Sequence, residues 1–140
     1  MTIRYSELGE IEGVAQKVIQ ACKGYNIWLF DGQMGAGKTT LIKSICAQMN
    51  VVDNVSSPTF SLLNVYQTDK GDELFHFDFY RIEDQVEAID IGCDEYFYSG
   101  NICFIEWPEK IPSLIPDKFV KISINLVIEN EREISITEHE

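Results

Sequence analysis

A chain of 140 residues, 45% of them apolar, has the size and hydrophobic content of one folded domain. Asp plus Glu outnumber Lys plus Arg by 23 to 11, a formal net charge of −12. A surface that acidic repels a phosphate backbone at long range, which argues against a protein that holds RNA or DNA alone. Any polyanion it binds must be drawn in by a local cationic pocket, a metal ion or a basic partner.

The opening residues MTIRYSELGE lack the apolar segment of a signal peptide. No stretch approaches the roughly 20 apolar residues of a membrane span, so the expected location is the cytoplasm. Residues 6–22 repeat apolar side chains at Leu8, Ile11, Val14, Ala15, Val18, Ile19 and Cys22, which predicts a helix. The run NIWLF at 26–30 predicts a short buried strand. Residues 38–49 carry Leu41, Ile42, Ile45, Cys46 and Met49 on one helical face.

Two strands are predicted at 60–67 and 73–80, around a turn at Asp69-Lys70-Gly71-Asp72. The second alternates, with Phe75, Phe77 and Phe79 on one side and His76, Asp78 and Tyr80 on the other. Residues 83–91 predict a short acidic helix, and ICFI at 102–105 a fully buried strand. Residues 119–128 and 133–137 alternate and predict a closing antiparallel pair. The order is that of a single α/β domain spanning 1–140, a mixed parallel and antiparallel sheet flanked by helices. Four cysteines, at 22, 46, 93 and 103, form no C-x-x-C pair, so neither a zinc site nor a disulfide framework is expected. Cys46 and Cys103 lie in apolar runs and read as small core residues.

Between the strand at 26–30 and the helix from 38 lies Gly32-x-x-x-x-Gly37-Lys38-Thr39, the pattern of a phosphate-binding loop. Several backbone N–H groups must converge on a phosphate chain, so side chains there are absent or small: Gly32, Gly35, Ala36 and Gly37. The helix start offers unpaired N–H groups and the positive end of its dipole to the same anion. Lys38 is expected to reach the β- and γ-phosphates and the Thr39 hydroxyl to ligate Mg²⁺, with Thr40 beside them in the nucleotide site. The plain alternative is a glycine turn joining a strand to a helix.

Such a loop needs a further acidic group for magnesium, usually after a buried strand. Glu106 follows a run apolar on both faces and is assigned that role, directly or through water. Asp78 is the candidate for orienting the attacking water or supporting the metal from behind. Either carboxylate has the alternative reading of a strand-end group capping a turn. In SSPTF, residues 56–60, Thr59 is a candidate sensor of γ-phosphate or magnesium, with a Ser-Pro turn entering a strand as the equal alternative. Only Arg4, Arg81 and Arg132 are arginines, without a cluster or a lid insertion, which disfavours a small-molecule kinase. No N-K-x-D segment for reading guanine is present. A slow ATPase or ATP-dependent switch remains, with the kinase as the alternative.

Taken together, GQMGAGKTT (32–40), SPTFSLLNVY (57–66), HFDFYR (76–81) and IEWPEK (105–110) resemble, in order and spacing, the TsaE family, also called YjeE. The resemblance spans 32–110; Gln33 departs from the acidic residue common at that position, and the tail from 111 is only loosely matched. It implies a small ATPase of tRNA threonylcarbamoyladenosine formation that works with TsaD and TsaB, is needed for turnover rather than for the transfer itself, and meets tRNA only through that assembly. It implies ATP and Mg²⁺ as ligands, with Lys38 and Thr39 at the phosphates, Glu106 on magnesium, and Thr59 and Asp78 in switch-like segments. It also puts Trp107 beside the nucleotide, with an ordinary packed aromatic as the other reading. The acidic stretch Glu83–Asp94 is a candidate docking face, and a merely solvated helix is as good a reading of it.

Overall fold

The strands and helices run β1 (Thr2–Tyr5), a 3-10 turn, α1 (Ile11–Ala21), β2 (Ile27–Asp31), α2 (Lys38–Gln48), β3 (Leu63–Gln67) and β4 (Glu73–Asp78). They continue as α3 (Val86–Asp90), α4 (Cys93–Phe97), β5 (Cys103–Glu106), a second 3-10 turn, β6 (Phe119–Ile128) and β7 (Glu131–His139). This computed structural model describes residues 1–33, 35–55, 62–128 and 130–140. Among them the strands form one sheet in the order β1-β7-β6-β2-β5-β4-β3.

The centre of the sheet, β6-β2-β5-β4, is parallel. Antiparallel strands flank it, β3 against β4 on one side and β7 against β6 on the other. The fold is therefore the mixed α/β sheet that the alternation of elements predicts. The runs at 26–30 and 102–105 become adjacent central strands, β2 and β5, because their side chains are buried on both faces. Trp28, Phe30 and Phe104 pack with Val14, Val18, Leu41, Ile42 and Ile45 under α1 and α2. Ile27, Leu29, Cys103 and Ile105 pack with Phe75, Phe77, Phe79, Ala88 and Phe97 under α3 and α4.

Three differences from the sequence reading have physical causes. β1 was not predicted: it is four residues at an edge and exists by pairing with β7, Thr2 opposite Ser135 and Tyr5 opposite Arg132. α4 was not predicted either, being five residues that follow Gly92 in a left-handed conformation, φ 78°, too short to carry a period. β6 does close an antiparallel pair with β7, but it also lies parallel to β2, a long-range pairing invisible to local alternation. All four cysteines are buried and unpaired. No helix among the described residues is long and apolar enough to cross a membrane.

Candidate functional site

Parallel α/β sheets expose their chemistry beyond the carboxyl ends of the strands, where loops leave for the helices. Here the ends of β2, β5 and β4 lie side by side, with Phe30 level with Glu106 and Glu106 level with Asp78. The loop leaving β2 enters α2 through Gly37, whose φ of 105° is left-handed and suits glycine. Having no side chain, Gly37 caps none of the first-turn amides, and α2 has no acidic residue in that turn. Its amides and positive dipole end are thus available to an anion. Gly32 is required for a different reason. A Cβ there would stand 2.7 Å from the Ile124 carbonyl oxygen of β6, so only glycine lets the loop lie against that strand.

Beyond these strand ends is a cavity of about 400 Å³. Its wall contains Gly35, Gly37, Lys38, Thr39 and Thr40 from the loop and α2, Asp78 and Tyr80 from the end of β4, Glu106 and Trp107 from the end of β5, and Arg132 from β7. Lys38 is almost fully buried, and its Nζ lies 4.1 Å from the centroid of the Trp107 ring. Trp107 holds a left-handed backbone, φ 60°, before Pro108, and Tyr80 meets its ring edge-on at 5.0 Å. That conformation is uncommon for a bulky residue, and such strain collects at functional sites.

Asp78 accepts a hydrogen bond from the Tyr80 backbone N–H at 3.0 Å. Burial pushes its carboxyl above the ordinary carboxylate range; the Tyr80 N–H opposes this and the neighbouring Glu106 charge adds to it. Glu106 is buried, and His76 Nε2 lies 2.7 Å from its Oε2. The cavity therefore contains two cations, Lys38 and Arg132, at a helix N-terminus, facing two carboxylates across the strand ends. Its cationic side, Lys38 and Arg132 beside the start of α2, is the part of the wall that could attract an anion against a net charge of −12.

Of the residues singled out in the sequence, Gly35, Gly37, Lys38, Thr39, Thr40, Asp78, Glu106 and Trp107 meet at this one cavity. Gly32 and Ala36 do not line it. Gly32 packs on β6, and Ala36 is buried beside an adjoining cleft with Gln33 and Ile124. Thr59 lies outside the described residues. Arg81 does not line the cavity.

Tyr80, read in the sequence as either site-forming or structural, lines the cavity, and two further residues reach the site that the sequence did not single out. Arg132, on β7, donates from Nε to the Ala36 carbonyl at 2.9 Å across 96 positions of chain. His76 carries a visible signal, since it alternates onto the same side of β4 as Asp78. No local pattern marks Arg132.

The donor set fits magnesium. The Thr39 hydroxyl and the Glu106 carboxylate are hard oxygen donors in one wall. Among the described residues no three His, Cys, Asp or Glu converge as a cage, and Mg²⁺ at a phosphate site needs only one or two protein oxygens besides the phosphates.

Fold and site together define an α/β protein consistent with the P-loop NTPase class. The chain belongs to the TsaE family: residues 5–134 match the family model of the threonylcarbamoyl adenosine biosynthesis protein TsaE. It is 34% identical over 128 residues to the tRNA threonylcarbamoyladenosine biosynthesis protein TsaE of Bacillus subtilis (strain 168), covering 91% of this chain and 79% of that one. It is 33% identical over 111 residues to the protein of the same name from Treponema pallidum (strain Nichols), covering 79% of this chain and 81% of that one. The crystal structure of Bacillus subtilis YdiB superposes with a TM-score of 0.77 at 26% identity, covering 100% of this chain and 86% of that one. The family's place is in tRNA threonylcarbamoyladenosine biosynthesis.

Proposed function

We propose that this chain is a magnesium-dependent ATPase of tRNA threonylcarbamoyladenosine biosynthesis, slow alone and stimulated by TsaD and TsaB, which it serves in turnover rather than in the transfer step. The observation that carries this reading is the meeting of the loop amides at the α2 N-terminus, Lys38, Thr39 and Glu106 around one cavity. In this reading the amides and Lys38 hold the phosphate chain. Bound magnesium would neutralise charge on the phosphate oxygens, held by Thr39 and Glu106. Asp78, level with Glu106 on the neighbouring strand, orients the attacking water or supports the site. The γ-phosphate can accept the proton itself, so Asp78 need not act as base. Arg132 braces the loop. A net charge of −12 suits a protein that meets tRNA through its partners rather than alone, in the cytoplasm where tRNA is modified.

The test is magnesium-dependent phosphate release from ATP by the protein alone and with TsaB and TsaD, with Lys38→Ala as control. Release that rises with the partners and is lost in the variant supports the reading. Release that needs a phosphate-accepting small molecule would make the chain a kinase, and a rate indifferent to Lys38→Ala would sink the proposal.

A further inference from the structure

Behind Glu106 lies a buried polar chain that the phosphate chemistry does not itself require. Glu106 is 3% exposed and His76 is not exposed at all. His76 Nε2 is 2.7 Å from Glu106 Oε2, and His76 Nδ1 is 3.0 Å from the Tyr66 hydroxyl. The Asn64 side-chain amide reaches the same hydroxyl at 3.4 Å. An imidazole carrying its proton on Nε2 serves both neighbours in one arrangement. The Asn64 N–H donates to the Tyr66 oxygen, the Tyr66 O–H donates to Nδ1, and the Nε2–H donates to the carboxylate. The opposite tautomer would set the Nε2 lone pair against the Glu106 oxygen.

The sheet register brings these side chains within reach of one another. His76 is level with Phe104 and Asp78 with Glu106 on the parallel neighbours β4 and β5, so His76 reaches Glu106 along the diagonal. Tyr66 and Asn64 come from β3, paired antiparallel to β4. A carboxylate that only ended a strand could turn to water. This one is withdrawn from solvent, and withdrawal is costly unless the charge is hydrogen-bonded. It stays in the cavity wall with one oxygen fixed.

We propose that His76 is the positioning residue for Glu106, holding its carboxylate in the orientation that receives the divalent cation, and that Tyr66 fixes the imidazole in turn. This rests on the reading of Glu106 as a magnesium ligand. Partners of this kind behind a ligand typically change metal affinity about 10- to 100-fold when removed.

The test uses the full chain and a fluorescent N-methylanthraniloyl derivative of ATP, titrated with Mg²⁺, and again in EDTA. His76→Leu is expected to raise half-saturating Mg²⁺ about 10- to 100-fold while leaving the affinity in EDTA unchanged. His76→Gln, whose amide can donate to Glu106, is expected to recover most of the loss. Tyr66→Phe is expected to raise half-saturating Mg²⁺ about two- to tenfold, the value of one hydrogen bond. Unchanged Mg²⁺ dependence in His76→Leu, or an equal loss of affinity with and without the metal, would overturn the proposal. Should His76→Leu fail to fold, Tyr66→Phe decides: the expected rise supports the proposal and a wild-type value overturns it. If the wild type binds the nucleotide with no magnesium dependence, the proposed function fails and takes this inference with it. A normal wild type with indifferent variants removes only the role of His76.

Discussion

The Lys38 ammonium lies 4.1 Å from the centroid of the Trp107 ring, and Lys38 is only 7% exposed. Among the described residues no carboxylate stands within ion-pair distance of it. A nearly buried cation resting on an aromatic face, with Asp78 near enough to feel its charge, is held where an arriving phosphate would meet it. Magnesium-ATP is therefore expected to change the emission of Trp107, read in a Trp28→Phe background. Lys38→Ala is expected to lower nucleotide affinity about 10- to 100-fold, the range of a charged hydrogen bond. Unchanged affinity in that variant would remove Lys38 from the site.

Arg132 is expected to matter through the loop. Its Nε holds the Ala36 carbonyl, and a Cβ at Gly37 would stand 3.3 Å from the same nitrogen, so the guanidinium lies directly beneath the loop. Arg132→Ala loses that bond and a cation in the cavity wall. A stability loss of about 1.5–3 kcal/mol is expected by denaturant titration, from one hydrogen bond made by a charged group. Nucleotide affinity should fall about tenfold as well, because the cavity wall loses a cation that an arriving phosphate would meet. Arg132→Lys keeps the charge but not the planar fork, and is expected to recover affinity only in part. Nucleotide binding at wild-type strength in Arg132→Ala would show that the loop holds its shape without it.

What could be read from the chain was whatever local spacing encodes. The glycine-rich loop, Lys38 and Thr39 lie in one continuous stretch between a buried strand and a helix, and the two apolar runs became the central strands β2 and β5. Glu106 and Asp78 were readable as strand-end carboxylates, and the parallel register explains why they meet. Arg132 was not readable, because its contact with Ala36 depends on β7 folding back beside β6 and β1. His76 was visible as an alternating position, but its partner Glu106 is 30 residues away on another strand. β1 and α4 escaped because four or five residues carry no usable period, and their existence depends on neighbours.

The four cysteines are expected to be chemically silent in the folded protein. Burial pushes the thiols of Cys22, Cys46 and Cys103 up to about 12 and that of Cys93 to about 11. The thiolate is the reactive form, so a maleimide at neutral pH should label none of them rapidly. In denaturant all four should react. Fast labelling of one site in the native protein would show that its part of the core opens.

Asp78 makes a prediction about pH. Burial holds its carboxyl above the ordinary carboxylate range, with the Glu106 charge adding to the effect. In the unfolded chain the group ionises near that ordinary value, so the folded state keeps its proton to higher pH. Stability from this group is complete below the unfolded value, declines as pH rises through the folded one, and stays reduced above it. Asp78→Asn removes the charge and keeps an oxygen to accept the Tyr80 N–H. The variant is therefore expected to melt at a higher temperature than the wild type at neutral pH, without nucleotide. The gain should shrink as pH is lowered through the folded value and vanish below the unfolded one. The same variant should lose phosphate release while still binding ATP, if Asp78 orients the water. Such a gain in stability matched by a loss of turnover would mark a carboxylate kept for chemistry at the expense of the fold. A melting temperature lowered at every pH would instead assign Asp78 to holding the turn at Tyr80.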